Sequence, residues 1–263
     1  MIFSYNRPSD LIPALDGTAA WLSDDVGLAL VNGKPNVKSR ASWITGTQTT
    51  SSETVVSGTW STGLVPRVAA LIGVSLPIGM VVTVDFYENL SWGYSSVTTA
   101  VMEMDNGTNG IWVVLPTGLS AVTGVRFHLV NNVSGSTVMA AGDTFDMGEM
   151  WVGSSPTYQI IRTVQDNLVD PSVRHRTLGQ QVYTTKRLPY RTLSLDVMSV
   201  ADPNVSASRL LRASTSQSVP CVMVLQEDYK SAALFCNVTS FTIENDNGAL
   251  WKPSIQFEEV PNG

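Results

Sequence analysis

The sequence predicts a mainly β protein: a β-sandwich or jelly roll followed by a second β-rich domain containing one short helix. Three observations predict it. Short apolar segments of alternating pattern recur at near-regular spacing, separated by Gly, Pro and Asn turns. Charged residues make up only 14% of the 263 residues, against about 25% in an average soluble protein. Ser, Thr, Val and Gly are abundant, as on neutral, polar sheet surfaces. The hydrophobic fraction of 43% is ample for a core and argues against disorder.

The first forty residues read as an irregular N-terminal arm, punctuated by Pro8, Pro13, Gly17, Gly27, Asn32-Gly33 and Pro35. The jelly-roll domain is expected over 41–155. Residues 67–74 form an apolar run fit for a buried strand. Residues 81–87 alternate, with Val82, Val84 and Phe86 on one face and Thr83, Asp85 and Tyr87 on the other. Met104-Asp-Asn-Gly107 carries a tight-turn signal, since Asn-Gly tolerates positive φ. Strands follow at 111–115 and at 124–130, with Val125, Phe127 and Leu129 inward. A last strand is expected at 145–152.

Gly153-Ser-Ser-Pro156 reads as a boundary, and the second domain is expected over 156–263. Strands are expected at 158–164, 181–187 and 190–198. A helix is expected near 203–214, capped by Asp202 with Pro203 in its first position. Strands at 221–226, 233–244 (long or bent) and 253–259 complete the order, with a hairpin turn at Asp246-Asn-Gly248.

A net charge of −6 and few cations argue against duplex binding, so no nucleic-acid partner is expected. Arg162, Arg174, Arg176, Lys186, Arg187 and Arg191 do cluster; a solvated face or an assembly interface is the ordinary reading, with Arg174, Arg176, Lys186 and Arg187 as candidate interface residues. The apolar stretch Val68–Val84 is interrupted by Gly73, Ser75, Pro77 and Gly79, so no membrane insertion is expected. No secretory signal is visible in MIFSYNRPSD. Cys221 and Cys236 lie in strand-like runs and read as buried thiols.

Catalytic candidates are weak. His128 reads as a surface histidine opposite Val125, Phe127 and Leu129, and His175 sits in a basic loop. The acidic pairs (Asp85 with Glu88, Glu103 with Asp105, and Asp143, Asp146 and Glu149) have ordinary strand-end spacing for a chain with 22 acids. The segment Glu103–Asn109 has oxygen ligands of the kind calcium prefers but falls short of a full loop. No catalytic residue, metal site or cofactor is therefore expected. Trp43, Trp60, Trp92 and Tyr94 lie in loop-like or strand-end segments, where they could stack on sugar or fill a partner's pocket. Strand-end Trp more often caps a core.

Residues 40–87 carry a Ser42-Trp43 strand, a variable polar stretch, the apolar strand VAALIGVSL and the strand VTVDFYE. With FDMGEMWVGS at 145–154, they resemble the galactose-binding-like, discoidin-type jelly rolls of tailed-bacteriophage structural proteins. The second half resembles the second domain of the same proteins: Gly179-Gln180, Tyr190-Arg191, TLSLDVMS, a short helix, PCVMV from Pro220 and a terminal SIQFEEV. The resemblance covers most of 40–260 and brings no active-site signature. It implies a non-enzymatic, distal-tail-protein-like virion component at the tail tip or baseplate, assembled in the host bacterial cytoplasm. Its implied partners are itself, as a ring (trimer or hexamer), and the tail tube, tip or hub proteins and fibres. Host glycans are a further candidate partner. The alternative function is a carbohydrate-binding module of a phage receptor-binding protein.

Overall fold

A computed structural model describes residues 2–4, 7–17, 19–21, 30, 39–43, 53–76, 80–88, 91–99, 112–130, 132–133, 136–137, 139–155, 161–177, 181–197, 220–224, 233–246 and 250–260. Most of them are strand. In chain order these are β1 (Ile2–Ser4), β2 (Ile12–Gly17), β3 (Ala19–Trp21), β4 (Ser39–Trp43), β5 (Glu53–Leu64), β6 (Val68–Ile72) and β7 (Val81–Glu88). Then come β8 (Ser91–Thr99), β9 (Trp112–Val114), β10 (Val122–Val130), β11 (Asn132–Val133), β12 (Ser136–Thr137), β13 (Thr144–Met147) and β14 (Glu149–Gly153). The series ends with β15 (Ile161–Val169), β16 (Val173–Arg176), β17 (Val182–Thr185), β18 (Tyr190–Val197), β19 (Pro220–Val224), β20 (Ala233–Asp246) and β21 (Leu250–Glu259). The chain divides into two compact units. One holds 1–156 with 222–234 and residue 262, the other 157–221 with 235–261 and residue 263.

The first unit is a β-sandwich. One layer is the antiparallel sheet β2-β5-β10-β7-β8, and the other is made of the sheets β13-β4-β3 and β14-β6-β9. Alternation along β7 and β10 sends Val82, Val84, Phe86, Val125, Phe127 and Leu129 into the core, where each is fully buried. They meet Trp43, Phe145, Met147 and Met150 from the opposite layer. Packing is tight over Gly58 of β5. A Cβ there would lie 2.7 Å from Met150 Cε and 2.8 Å from Leu11 Cδ1, so only glycine fits without displacing core side chains.

The expected strand 145–152 is two strands. Gly148 separates β13, which pairs with β4, from β14, which pairs with β6, and its N–H donates to Ile72 O at 2.9 Å. Every residue of β6 and β14 is buried, because both faces of these strands are covered. Met150 and Val152 join the sandwich core. Glu149 and Trp151 point the other way, towards the N-terminal segment. There the Trp151 indole N–H donates to Ser4 Oγ at 2.9 Å, and Arg7 pairs with Glu149.

Three short strands lie within the first forty residues, which read as irregular. Pro13 falls inside β2, an edge strand, where a missing N–H is tolerated. The Asp10 carboxylate accepts hydrogen bonds from the Ser61 N–H (2.8 Å) and hydroxyl. These bonds hold Asp10 below the usual carboxylate range.

In the second unit, β20, β21, β18 and β15 form an antiparallel sheet with β15 at its edge. Leu193, Leu195, Ile255 and Phe257 fill its buried face. Strand β20 is long and irregular between Val238 and Ser240, and its antiparallel ladder with β21 runs to Asp246–Leu250; the expected turn residues Asn247 and Gly248 lie outside the described residues. Strands β16 and β17 form a separate two-stranded ribbon. The segment 173–176 that reads as a basic loop is therefore a strand, because cross-strand pairing with 182–185 supplies the ladder that its own polar sequence does not signal. The expected helix near 203–214, the turn at 104–107 and the oxygen-rich segment 103–109 lie outside the described residues.

Candidate functional site

Two surfaces collect the residues singled out above. The first is the solvent side of the five-stranded sheet. Residues alternating with the core positions bring Tyr87, Asp85 and Thr83 of β7 beside Gly124, Arg126 and His128 of β10. Ser57 and Thr59 of β5 lie opposite Arg126 and Gly124 on the other flank. Trp92 of β8 registers with Tyr87; their rings sit 5.1 Å apart at 52°. The Arg126 guanidinium carbon lies 3.7 Å from the Trp92 ring centroid, a close cation–π stack. Glycine at 124 makes room: a Cβ there would fall 3.0 Å from Trp92 Cη2 and 3.2 Å from Tyr87 Cβ.

His128 lies on the face opposite Val125, Phe127 and Leu129, as the alternation predicts. It bridges two strands: Nδ1 contacts the Glu53 carboxylate of β5, and Nε2 lies 2.8 Å from Asp85 Oδ2 of β7. The Asp85 approach lacks hydrogen-bond alignment. The two ring nitrogens face different carboxylates, and among the described residues no group of three His, Cys, Asp or Glu is placed to hold a metal ion.

Of the four aromatic candidates, two need correction. Trp43 is fully buried and Trp60 is 6% exposed, so neither can stack on a ligand in the folded protein. Both fall at inward positions of β4 and β5, and Trp43 packs on Phe145 at 6.1 Å. Trp92 lies at the start of β8, a strand-end position as expected, and Tyr94 two residues further into the same strand; Gly93 and three serines disguise a strand that Trp, Tyr, Val and Thr favour. Trp92 is half-buried, and Tyr94 registers with Phe86. Tyr87, Gly124 and Arg126 were missed as site residues. Their signal is positional, since they share the polar face of two alternating strands.

The acidic candidates among the described residues serve structural partners; Glu103 and Asp105 lie outside them. Arg40 grips Asp146 at 2.7 and 3.0 Å, Asp143 accepts the Ala140 N–H, and Glu88 accepts the Ser120 N–H at 2.7 Å. Asp85 and Glu149 are engaged as described above.

The second surface is the β16–β17 ribbon. Every residue of both strands is exposed. One face carries Val173, His175 and Tyr183, with the last two rings stacked at 5.0 Å and 18°. The other carries Arg174, Arg176 and Val182. Lys186 and Arg187 follow, both exposed. The base is tied by Arg187 N–H to Ser172 Oγ at 3.0 Å and the tip by Thr177 N–H to Gln181 O at 2.9 Å. Asp170 is held below the carboxylate range by its Ser172 hydrogen bonds, with Arg174 assisting. Among the described residues, six large exposed hydrophobic side chains fall between Val164 and Leu188, led by Leu168 at 71%. Leu168 and Val164 belong to β15, at the edge of its sheet.

The fold thus defines a class: an all-β protein whose first unit is a β-sandwich. No family model matches the chain, and no curated protein matches it either. Among solved structures, it is similar to CBM32-1 from a family 31 glycoside hydrolase from Clostridium perfringens. The identity is 10% and the TM-score 0.33, over 57% of this chain and 97% of that one. Neither value ties this chain to any property of that module.

Proposed function

We propose that the chain is a non-enzymatic structural component of a bacteriophage virion, at the tail tip or baseplate, that assembles into a ring joining the tail tube to tip proteins or fibres. The family resemblance of residues 40–260 suggests the setting. One observation carries the assembly role: the β16–β17 ribbon is bare on both faces yet bears Val173, Val182, Tyr183 and two cations, with Lys186 and Arg187 exposed just beyond it. A two-stranded ribbon is marginal in water by itself, and an edge strand such as β15, with Val164 and Leu168 exposed, invites pairing. A second copy suits the ribbon by charge. The net charge is −6, and setting aside Arg174, Arg176, Lys186 and Arg187 leaves −10 on the rest of the chain. A basic ribbon on a more acidic neighbour is a heterologous contact, of the kind that closes rings.

Immunogold electron microscopy of phage particles, using antibody to this chain, tests the setting. Gold at the distal end of the tail is expected. Unlabelled particles, with the chain free in the lysate, overturn the reading.

A carbohydrate-binding module of a receptor-binding protein is the second reading. Half-exposed Trp92 beside Tyr87 favours it, because a tilted aromatic pair offers apolar area to a sugar face. Glycan binding that is unchanged by Trp92→Ala rejects it.

A further inference from the structure

Arg126 and Asp85 are register partners on adjacent strands, yet their charged groups part company. Asp85 is drawn to His128 Nε2, 2.8 Å away. The Arg126 guanidinium instead lies over Trp92, 3.7 Å from the ring centroid. Among the described residues it makes no hydrogen bond and has no carboxylate partner. An arginine fork carries five N–H donors in one plane. The Trp92 ring covers the guanidinium from one side, and the N–H donors meet no acceptor among the described residues.

The geometry points to an oxyanion-binding site on the solvent side of the five-stranded sheet, in which Arg126, held over the Trp92 ring, receives the carboxylate or phosphate fork of an acidic sugar. Carboxylate and phosphate share the spacing that a guanidinium fork matches with two parallel hydrogen bonds. The stack fixes a side chain that is otherwise costly to immobilise, so the donors are arranged before a ligand arrives. Trp92 is itself seated by Tyr87 and by the clearance over Gly124. Asp85, the one carboxylate directly across from Arg126, is engaged by His128, and Glu53 contacts the other nitrogen of the same ring. The hydroxyl-bearing residues Ser57 and Thr59 register with Arg126 and Gly124 and suit a polyhydroxylated ligand. This site does not rest on the assembly reading.

The test is a titration of the full chain at low salt, following the indole N–H signal of Trp92 by NMR and assigning it by its loss in Trp92→Phe. Glucuronate, inorganic phosphate and glucose are added separately. A saturable shift with glucuronate, phosphate or both, and none with glucose, is expected. Glucuronate alone identifies a sugar carboxylate as the source, phosphate alone a phosphate ester, and both a general fork site. Arg126→Gln should weaken the anion at least tenfold. Arg126→Lys, which keeps the charge and loses the fork, should weaken it too. Unchanged signals elsewhere in the spectrum verify that each variant is folded. No saturable shift with either anion, an equal shift with glucose, or full affinity in Arg126→Gln overturns the site.

Discussion

Arg7 and Glu149, 142 residues apart in sequence, form an ion pair whose carboxylate is wholly shielded from solvent. The Arg7 guanidinium also lies 5.6 Å from the Trp151 ring centroid. Burial pushes the Arg7 pKa down, yet arginine stays charged at any ordinary pH. Removing one partner strands the other charge in a low-dielectric site, at about 3 kcal/mol or more. Arg7→Met should therefore lower stability to urea by about 3 kcal/mol. The double variant Arg7→Met/Glu149→Gln should recover much of it. A single variant as stable as the wild type would show the pair to be idle.

Gly124→Ala should destabilise modestly, by about 1 kcal/mol, the low end of overpacking costs. The Trp92 ring end can shift from the new methyl, but Tyr87 Cβ, at 3.2 Å, is fixed by its strand. The near-ultraviolet circular dichroism of the indole should change as well. A variant with wild-type spectrum and melting temperature would mean that the strands relax freely there.

Cys236 is fully buried in contact with the Cys221 thiol, and that contact, then burial, raises its pKa well above the ordinary value of 9.0. Both thiols should resist alkylation at pH 8 in the folded protein and react once urea unfolds it. The folded state holds the proton more tightly than the unfolded chain. The stabilisation is thus fully present below pH 9 and is lost as pH rises from there towards the folded value. The urea midpoint should fall between pH 8 and pH 10 more steeply for the wild type than for Cys236→Ala. Parallel profiles would dismiss the linkage.

Reversing the ribbon charges (Arg174, Arg176, Lys186 and Arg187 to Glu) should abolish self-association in sedimentation velocity while leaving the melting temperature within a few degrees, since all four side chains are exposed. The wild-type assembly should loosen as NaCl is raised, because exposed charges are screened beyond about 8 Å at physiological ionic strength. Assembly by the reversed variant would detach the ribbon from the interface.

The first unit was legible wherever one face of a strand is buried. Residues 81–87 and 124–130 alternate because only every second side chain reaches the core, and β7 and β10 follow that pattern with Val82, Val84, Phe86, Val125, Phe127 and Leu129 inward. β8 and β16 were illegible for the opposite reason. Ser, Gly and basic residues carry no periodicity, and these strands exist because a neighbour supplies the ladder. The candidate site was half legible. Trp92 stood out as an aromatic, but composition could not separate it from Trp43 and Trp60, which the sandwich buries.

By itself, the amino-acid sequence determined the β class, the inward faces of β7, β10 and β21 and the buried thiols, since each depends on local periodicity or apolar runs. Only the tertiary structure decided that Arg7 meets Glu149, that Asp85 turns to His128 and leaves Arg126 on Trp92, and that the β16–β17 ribbon lies bare. These follow from which strands become neighbours. That choice is made by burial across the whole unit, between residues too far apart in sequence for any local pattern to record.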